Sequence, residues 1–175
     1  MGETDEKSIK HPIPPVYDAN SEILILGSFP SVKSREIGFF YGHKQNRFWK
    51  VTAAVFNEKT PESLEEKKEF LLRNHIAVWD VIASCEIKGS SDASIKNVKA
   101  NDLSQILDNS RVEQIYVNGK TAEKMYNKYI FPSLQRKCTV LPSTSPANAA
   151  WDLEKLTKEW KEILKSGKQD KNGRK

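Results

Sequence analysis

Glu22-Ile23-Leu24-Ile25-Leu26-Gly27 holds an unbroken apolar run, Ile23 to Leu26, within a segment of strand length closed by glycine. A strand is apolar at every position only where both of its faces are buried, the habit of parallel sheets covered on two sides. Three later segments are further strand candidates: Ile76-Ala77-Val78-Trp79-Asp80-Val81-Ile82, Val112-Glu113-Gln114-Ile115-Tyr116-Val117 and Cys138-Thr139-Val140-Leu141. Helical segments separate them. Asn46 to Phe56 buries Phe48, Trp49, Val51, Thr52 and Val55. A helix to about Asn74 starts at Thr60-Pro61-Glu62, where Thr60 caps and Pro61 suits the first turn. Asn101-Asp102 caps a short helix through Leu107, and another helix spans Thr121 to Tyr129. The last, Asp152 to Lys165, places Leu153, Leu156, Trp160, Ile163 and Leu164 on one face. Strands alternating with helices predict an α/β three-layer sandwich. Its central, mostly parallel four-stranded sheet is flanked by helices, and ligands bind at the C-terminal ends of the strands.

The remaining stretches bound the fold. Residues 1–10 are polar and expected to be disordered. His11-Pro12-Ile13-Pro14-Pro15 makes a stiff extended entry, because each proline fixes its φ and biases its predecessor. Ser84 to Ala100 reads as a long polar loop, and 166–175 as a basic flexible tail, leaving one domain over 11–165. The net charge of +5 favours a polyanionic partner. No apolar stretch approaches the roughly 18 residues of a membrane span, and the first ten residues contain no signal-peptide core. Cys85 and Cys138 lack metal-ligand spacing and read as reduced thiols of an intracellular protein, cytoplasmic, or nuclear in a eukaryote. Three histidines without paired ligands disfavour a metal. The lack of Gly-x-Gly-x-x-Gly or a Walker loop disfavours nucleotide cofactors. No cofactor or metal is expected.

Two loops at strand ends carry the unusual chemistry. Gly27-Ser28-Phe29-Pro30-Ser31 makes a tight turn that aims backbone N–H groups at a ligand. Phe39-Phe40-Tyr41, farther along the same loop, is suited to stacking a planar ring, or else is core. Pro142-Ser143-Thr144-Ser145-Pro146-Ala147-Asn148 holds three hydroxyls between prolines, donors for phosphate oxygens or a plain capping turn.

Gly27-Ser28-Phe29-Pro30-Ser31 followed by His43-Lys44-Gln45-Asn46-Arg47-Phe48-Trp49 resembles the mismatch-specific branch of the uracil-DNA glycosylase superfamily. The resemblance is greatest to its hypoxanthine-DNA (deoxyinosine) glycosylase branch. Trp79-Asp80-Val81, Gly89-Ser90-Ser91-Asp92, Asn101-Asp102, Asn118-Gly119-Lys120-Thr121-Ala122 and Ser143-Thr144-Ser145-Pro146-Ala147-Asn148 fit it in order, from about residue 11 to 165. It implies an enzyme that flips a deaminated base, hypoxanthine first, out of DNA and cleaves its N-glycosidic bond. Mismatch-specific relatives hold the attacking water with an Asn in the first motif; this chain carries Phe29 there, which cannot. The resemblance therefore moves the catalytic role to Asn46, whose amide offers a donor and an acceptor for base or water, although Asn46 also suits a helix cap.

Base binding is implied for Gly27, Ser28, Phe29 and Pro30, through backbone amides near Ser28 and Phe29, and for Tyr41 or Phe40 by stacking. DNA contacts are implied for Ser143, Ser145 and Pro146, with Ala147 and Asn148 in the wedge that fills the vacated stack. His43 and Lys120 are phosphate candidates, and Lys120 equally suits a solvated surface. Asp80, a carboxylate at a strand end, is a second catalytic candidate or a loop cap; Asp92 and Asp102 read as loop-ordering residues. The rival readings are a uracil-DNA glycosylase and a lesion-binding protein without catalysis. A bifunctional lyase would need Lys44 as nucleophile. The expected partner is DNA carrying deaminated bases, engaged by a monomer without a membrane.

Overall fold

The computed structural model describes residues 7–87 and 95–164. The chain forms β1 (Lys7–Lys10), β2 (Ile23–Gly27), α1 (Val32–Ile37), α2 (Phe48–Val55), α3 (Leu64–Arg73), β3 (Ile76–Asp80), β4 (Ile82–Ile87) and β5 (Lys96–Ala100). There follow α4 (Ser104–Leu107), β6 (Gln114–Asn118), α5 (Lys120–Tyr129), α6 (Phe131–Leu134), β7 (Thr139–Leu141) and α7 (Leu153–Trp160).

The predicted sandwich is borne out. Four strands pair in the order β3-β2-β6-β7, every pairing parallel. Side chains alternate across β2, so Ile23 and Ile25 enter one core and Leu24 and Leu26 the other. The first core packs Phe48, Trp49 and Val51 of α2, Phe70 and Leu71 of α3, and Leu156 and Trp160 of α7. The second packs Ile106 of α4 with Ala122 and Tyr126 of α5. Leu24, Ile25 and Leu26 are fully buried, each side chain worth about 1.5–3 kcal/mol. Among the described residues no helix is long and apolar enough to cross a membrane.

Several sequence expectations are corrected. Lys7–Lys10, expected to be disordered, pairs antiparallel with β4. The predicted polar loop over Ser84 to Ala100 instead contains most of β4 and all of β5, which with β1 form a second, antiparallel sheet. The strand predicted through Ile82 breaks at Asp80, and Asn101 pins the break by donating from Nδ2 to Asp80 O and Ile82 O. Asn101 is thus no helix cap, whereas Asp102 Oδ1 does accept from Ser104 N. A short helix, α1, sits within the first loop, its N-terminus capped by Ser31 Oγ. Helix α3 starts at Leu64 rather than Pro61, because Ser63 and Glu66 form a reciprocal capping box. Leu153 is exposed, not buried. Gly89-Ser90-Ser91-Asp92, residues 1–6 and the tail 166–175 lie outside the described residues.

Candidate active site

The chain runs outward from β2 to β3, then returns to β6 on the other side, so the strand order switches between β2 and β6. Such a switch opens a crevice at the C-terminal strand ends. Here Gly27, Asp80 and Asn118 end β2, β3 and β6, and with the loop after β7 they frame a cavity of about 330 Å3, at the small end of ligand sites. Gly119, in a left-handed φ of 98°, lets the chain turn into α5; a Cβ there would press on Ser143 Cβ at 3.0 Å.

One wall is built on Asp80. Its Oδ2 lies 2.7 Å from His11 Nε2, and both side chains are nearly inaccessible, at 5% and 3%. Ile13 N donates to His11 Nδ1 at 3.2 Å, so that nitrogen is an acceptor and the proton sits on Nε2, aimed at the carboxylate. Phe29 and Trp79 pack edge-on against the imidazole. The other oxygen, Asp80 Oδ1, has no hydrogen-bond partner among the described residues and lies over Gly27, where a Cβ would come within 2.4 Å of it. The same Cβ would lie 3.2 Å from Tyr41 Oη. Tyr41 adopts a left-handed φ of 51°, uncommon for a tyrosine, and stacks on Phe48 at 4.1 Å. Burial holds the Tyr41 hydroxyl above its ordinary pKa, and the Asp80 charge pushes it the same way. Nearby Asn118 acts in the opposite direction and more weakly.

The opposite wall is a polar relay. Asn118 Oδ1 accepts from Thr144 N at 3.0 Å, which fixes that amide and turns its Nδ2 toward Thr144 Oγ1, also at 3.0 Å. The Thr144 hydroxyl, having accepted, donates to Asn46 Oδ1 at 2.8 Å, and Phe48 N donates to the same oxygen at 2.9 Å. Both acceptor positions of Asn46 are therefore filled, and its NH2, which has no hydrogen-bond partner among the described residues, is the free end of a side chain that lines the cavity. Asn46, one residue before the N-cap Arg47, accepts from the first amide of α2 and belongs to the site at once.

Arg47 ties the serine-rich turn to this wall. Its guanidinium donates to the carbonyls of Ser145 at 2.8 Å, Asn148 at 3.1 Å, Thr144 at 3.4 Å and Trp151. Within the turn, Ser143 Oγ accepts from Ser145 N and Ser145 Oγ from Ala147 N, each at 3.1 Å. Neither hydroxyl proton is committed by those bonds, so both remain available for an outside acceptor.

Of the residues picked from sequence, Gly27, Ser28, Phe29, Pro30, Phe40, Tyr41, His43, Asn46, Asp80, Lys120, Ser143, Ser145 and Pro146 all line the cavity. Ala147 and Asn148 do not: Ala147 is exposed at the turn, and Asn148 Nδ2 donates to Ser143 O. One face of Tyr41 is already taken by Phe48, and Phe40 is 2% exposed. His11, Arg47 and Asn118 carry no role in the sequence reading, and the Thr144 hydroxyl, expected as a phosphate donor, is buried and donates to Asn46 instead. The signal for Asn118 was local, a polar amide ending an apolar strand at the sheet's binding edge. His11 left none, since its partner is 69 positions away.

The uracil DNA glycosylase superfamily model matches residues 14–166. Two proteins named hypoxanthine DNA glycosylase, from Methanosarcina acetivorans and Methanosarcina barkeri, are each 32% identical to this chain. The first match covers 90% of this chain and 99% of its own length, the second 89% and 98%. The solution NMR structure of a Methanosarcina acetivorans protein assigned as a uracil DNA glycosylase superposes with a TM-score of 0.75 at 32% identity, covering 88% of this chain and 95% of that one. By fold and by relatives, this chain belongs to the uracil DNA glycosylase superfamily.

Proposed function

We propose that this chain is a monofunctional DNA glycosylase that everts a deaminated nucleotide, deoxyinosine first, and hydrolyses its N-glycosidic bond to release hypoxanthine. The two relatives named for that base support the substrate. One observation carries the chemistry: Asn46 keeps a free NH2 on the cavity wall with its oxygen fully engaged.

The glycosidic bond is unreachable within the stack, so the nucleotide swings out and its base enters the cavity. The bond breaks with its electron pair going to the base. Positive charge develops on the sugar carbon and negative charge on the base. The Asn46 NH2 and the backbone N–H groups of the Ser28–Phe29 turn stabilise the base, held in place beforehand, which is where such donors act most. DNA phosphates stabilise the sugar. Water then adds to the sugar carbon, and the proton it gives up balances the charge of the departed base, leaving an abasic site and neutral hypoxanthine. The Ser143 and Ser145 hydroxyls and Lys120 grip phosphates, with His43 at the rim and Pro146 beside the turn. Ala147 and Asn148 occupy the turn that fills the gap in the duplex. Phe40 and Tyr41 form the aromatic wall of the base site, with Gly27 and Pro30 shaping its floor.

Single-turnover release of free base from deoxyinosine and deoxyuridine oligonucleotides tests the reading. Asn46→Ala is expected to slow hypoxanthine release by about 100- to 1,000-fold while DNA carrying an abasic-site analogue still binds. Asn46→Asp should be as slow, because it replaces the donor with an acceptor. Near-normal turnover in either variant would transfer the catalytic role to Asp80. Binding without any base release would leave a lesion-binding protein instead.

A further inference from the structure

We infer that Thr144 is the positioning residue for Asn46: its buried hydroxyl turns the Asn46 amide so that the NH2, and not the oxygen, faces the base. The inference rests on the glycosylase reading above and deepens it.

The serine-rich turn carries three hydroxyls in a row, and they do different things. Those of Ser143 and Ser145 accept from amides of their own turn and keep their protons for a partner outside. Thr144, between them, is wholly buried, and its hydroxyl points inward to Asn46. A buried hydroxyl needs partners for its proton and for its lone pairs. Asn118 and Asn46 are those partners, and the main chain settles which of them donates. Thr144 N can only donate, so Asn118 turns its oxygen to that amide and its Nδ2 to Thr144 Oγ1, each at 3.0 Å. The threonine proton then goes to Asn46 Oδ1 at 2.8 Å.

That bond decides how the amide is held. Asn46 is half-buried and follows the exposed Lys44 and Gln45. Phe48 N, at 2.9 Å, grips one lone pair of its oxygen and by itself leaves the side chain to pivot on a single bond. A second donor fixes the plane of the amide. It also draws electron density to the oxygen, which strengthens the NH2 as a donor toward the negative charge that builds on the departing base. The main chain repeats the link, because Arg47 N donates to Thr144 O at 3.0 Å. Residues 46 and 47 thus hold Thr144 by side chain and backbone together. The branched Cβ of threonine restricts the hydroxyl further.

A double-mutant cycle tests the assignment, read by single-turnover release of hypoxanthine from deoxyinosine DNA. Thr144→Val keeps the shape of the side chain and removes the hydroxyl. At saturating enzyme it is expected to slow release by about 10- to 100-fold, with the half-saturating enzyme concentration unchanged to within about twofold. Thr144→Ser, which restores the hydroxyl, recovers the rate to within about fivefold of wild type. Added to Asn46→Ala, Thr144→Val costs no more than about a further threefold, because the two side chains act as a unit. Equal slowing in both backgrounds would give Thr144 a role apart from Asn46 and overturn the inference. So would a Thr144→Val rate within about threefold of wild type, or a Thr144→Ser rate as low as that of Thr144→Val. Binding to abasic-site DNA verifies the fold, and Thr144→Ala takes the place of a valine variant that fails this check. Near-normal release by Asn46→Ala alone would bring down the catalytic reading, and the inference with it, before any threonine variant is made. A wild type that releases uracil and no hypoxanthine changes the substrate reading alone, and the same cycle is then read on deoxyuridine DNA.

Discussion

At Gly27 a single hydrogen atom decides what the site can hold. Read from sequence, this glycine serves a tight turn; in the fold its job is space, because a Cβ would sit 2.4 Å from Asp80 Oδ1 and 3.2 Å from Tyr41 Oη. Gly27→Ala must push the carboxylate aside. Hypoxanthine release should then fall by about 100-fold, the scale of an ångström-sized misplacement at a reacting site, as measured by single-turnover excision. Unchanged release would mean that the base does not enter as far as this wall. Asn46 gives the complementary lesson. Sequence reading identified the right residue with two polar ends, and the fold consumed one of them through Phe48 N and Thr144 Oγ1.

Among the elements, the turn after β7 depends on an arginine from another part of the chain. Arg47 reaches four of its carbonyls from the start of α2, a fork that a lysine ammonium cannot reproduce. Arg47→Lys should lose about 1–3 kcal/mol of stability by urea unfolding and weaken DNA binding by about tenfold by fluorescence anisotropy. DNA binding equal to wild type would show that the turn holds its shape alone. Element errors in the sequence reading have physical causes as well. Lys96-Asn97-Val98-Lys99-Ala100 looks like loop because an edge strand of an open antiparallel sheet needs no apolar run. Thr60-Pro61 looks like a helix start, but the capping box at Ser63 and Glu66 satisfies two backbone donors together.

Across the whole molecule, burial stores protons that become costly in alkali. It lifts Tyr126 to about 12 and Cys138 to about 11, and raises Tyr41 as well. Above about pH 9 the unfolded chain releases protons that the folded chain still binds, so stability falls as pH rises. The contribution is complete below the unfolded values and is lost on approach to the folded ones. The urea midpoint should therefore hold steady to about pH 9 and decline toward pH 12. Tyr126→Phe should flatten that decline, while starting lower because the hydrogen bond to Arg136 O at 2.6 Å is lost. A midpoint that is level through pH 11 would contradict the desolvation of these groups.

The sequence by itself determined the four strands of the parallel sheet, their alternation with helices and the gathering of unusual loops at one sheet edge. Each of these follows from periodicity over a few neighbouring residues, and the glycine- and serine-rich loops sit where that periodicity ends. Tertiary structure alone decided which polar atoms remain free to act. Asp80 receives His11 from 69 positions away, and Asn46 receives Thr144 from 98. Partners so distant meet only when packing brings their strands and loops together, and no local preference encodes which lone pair they will occupy.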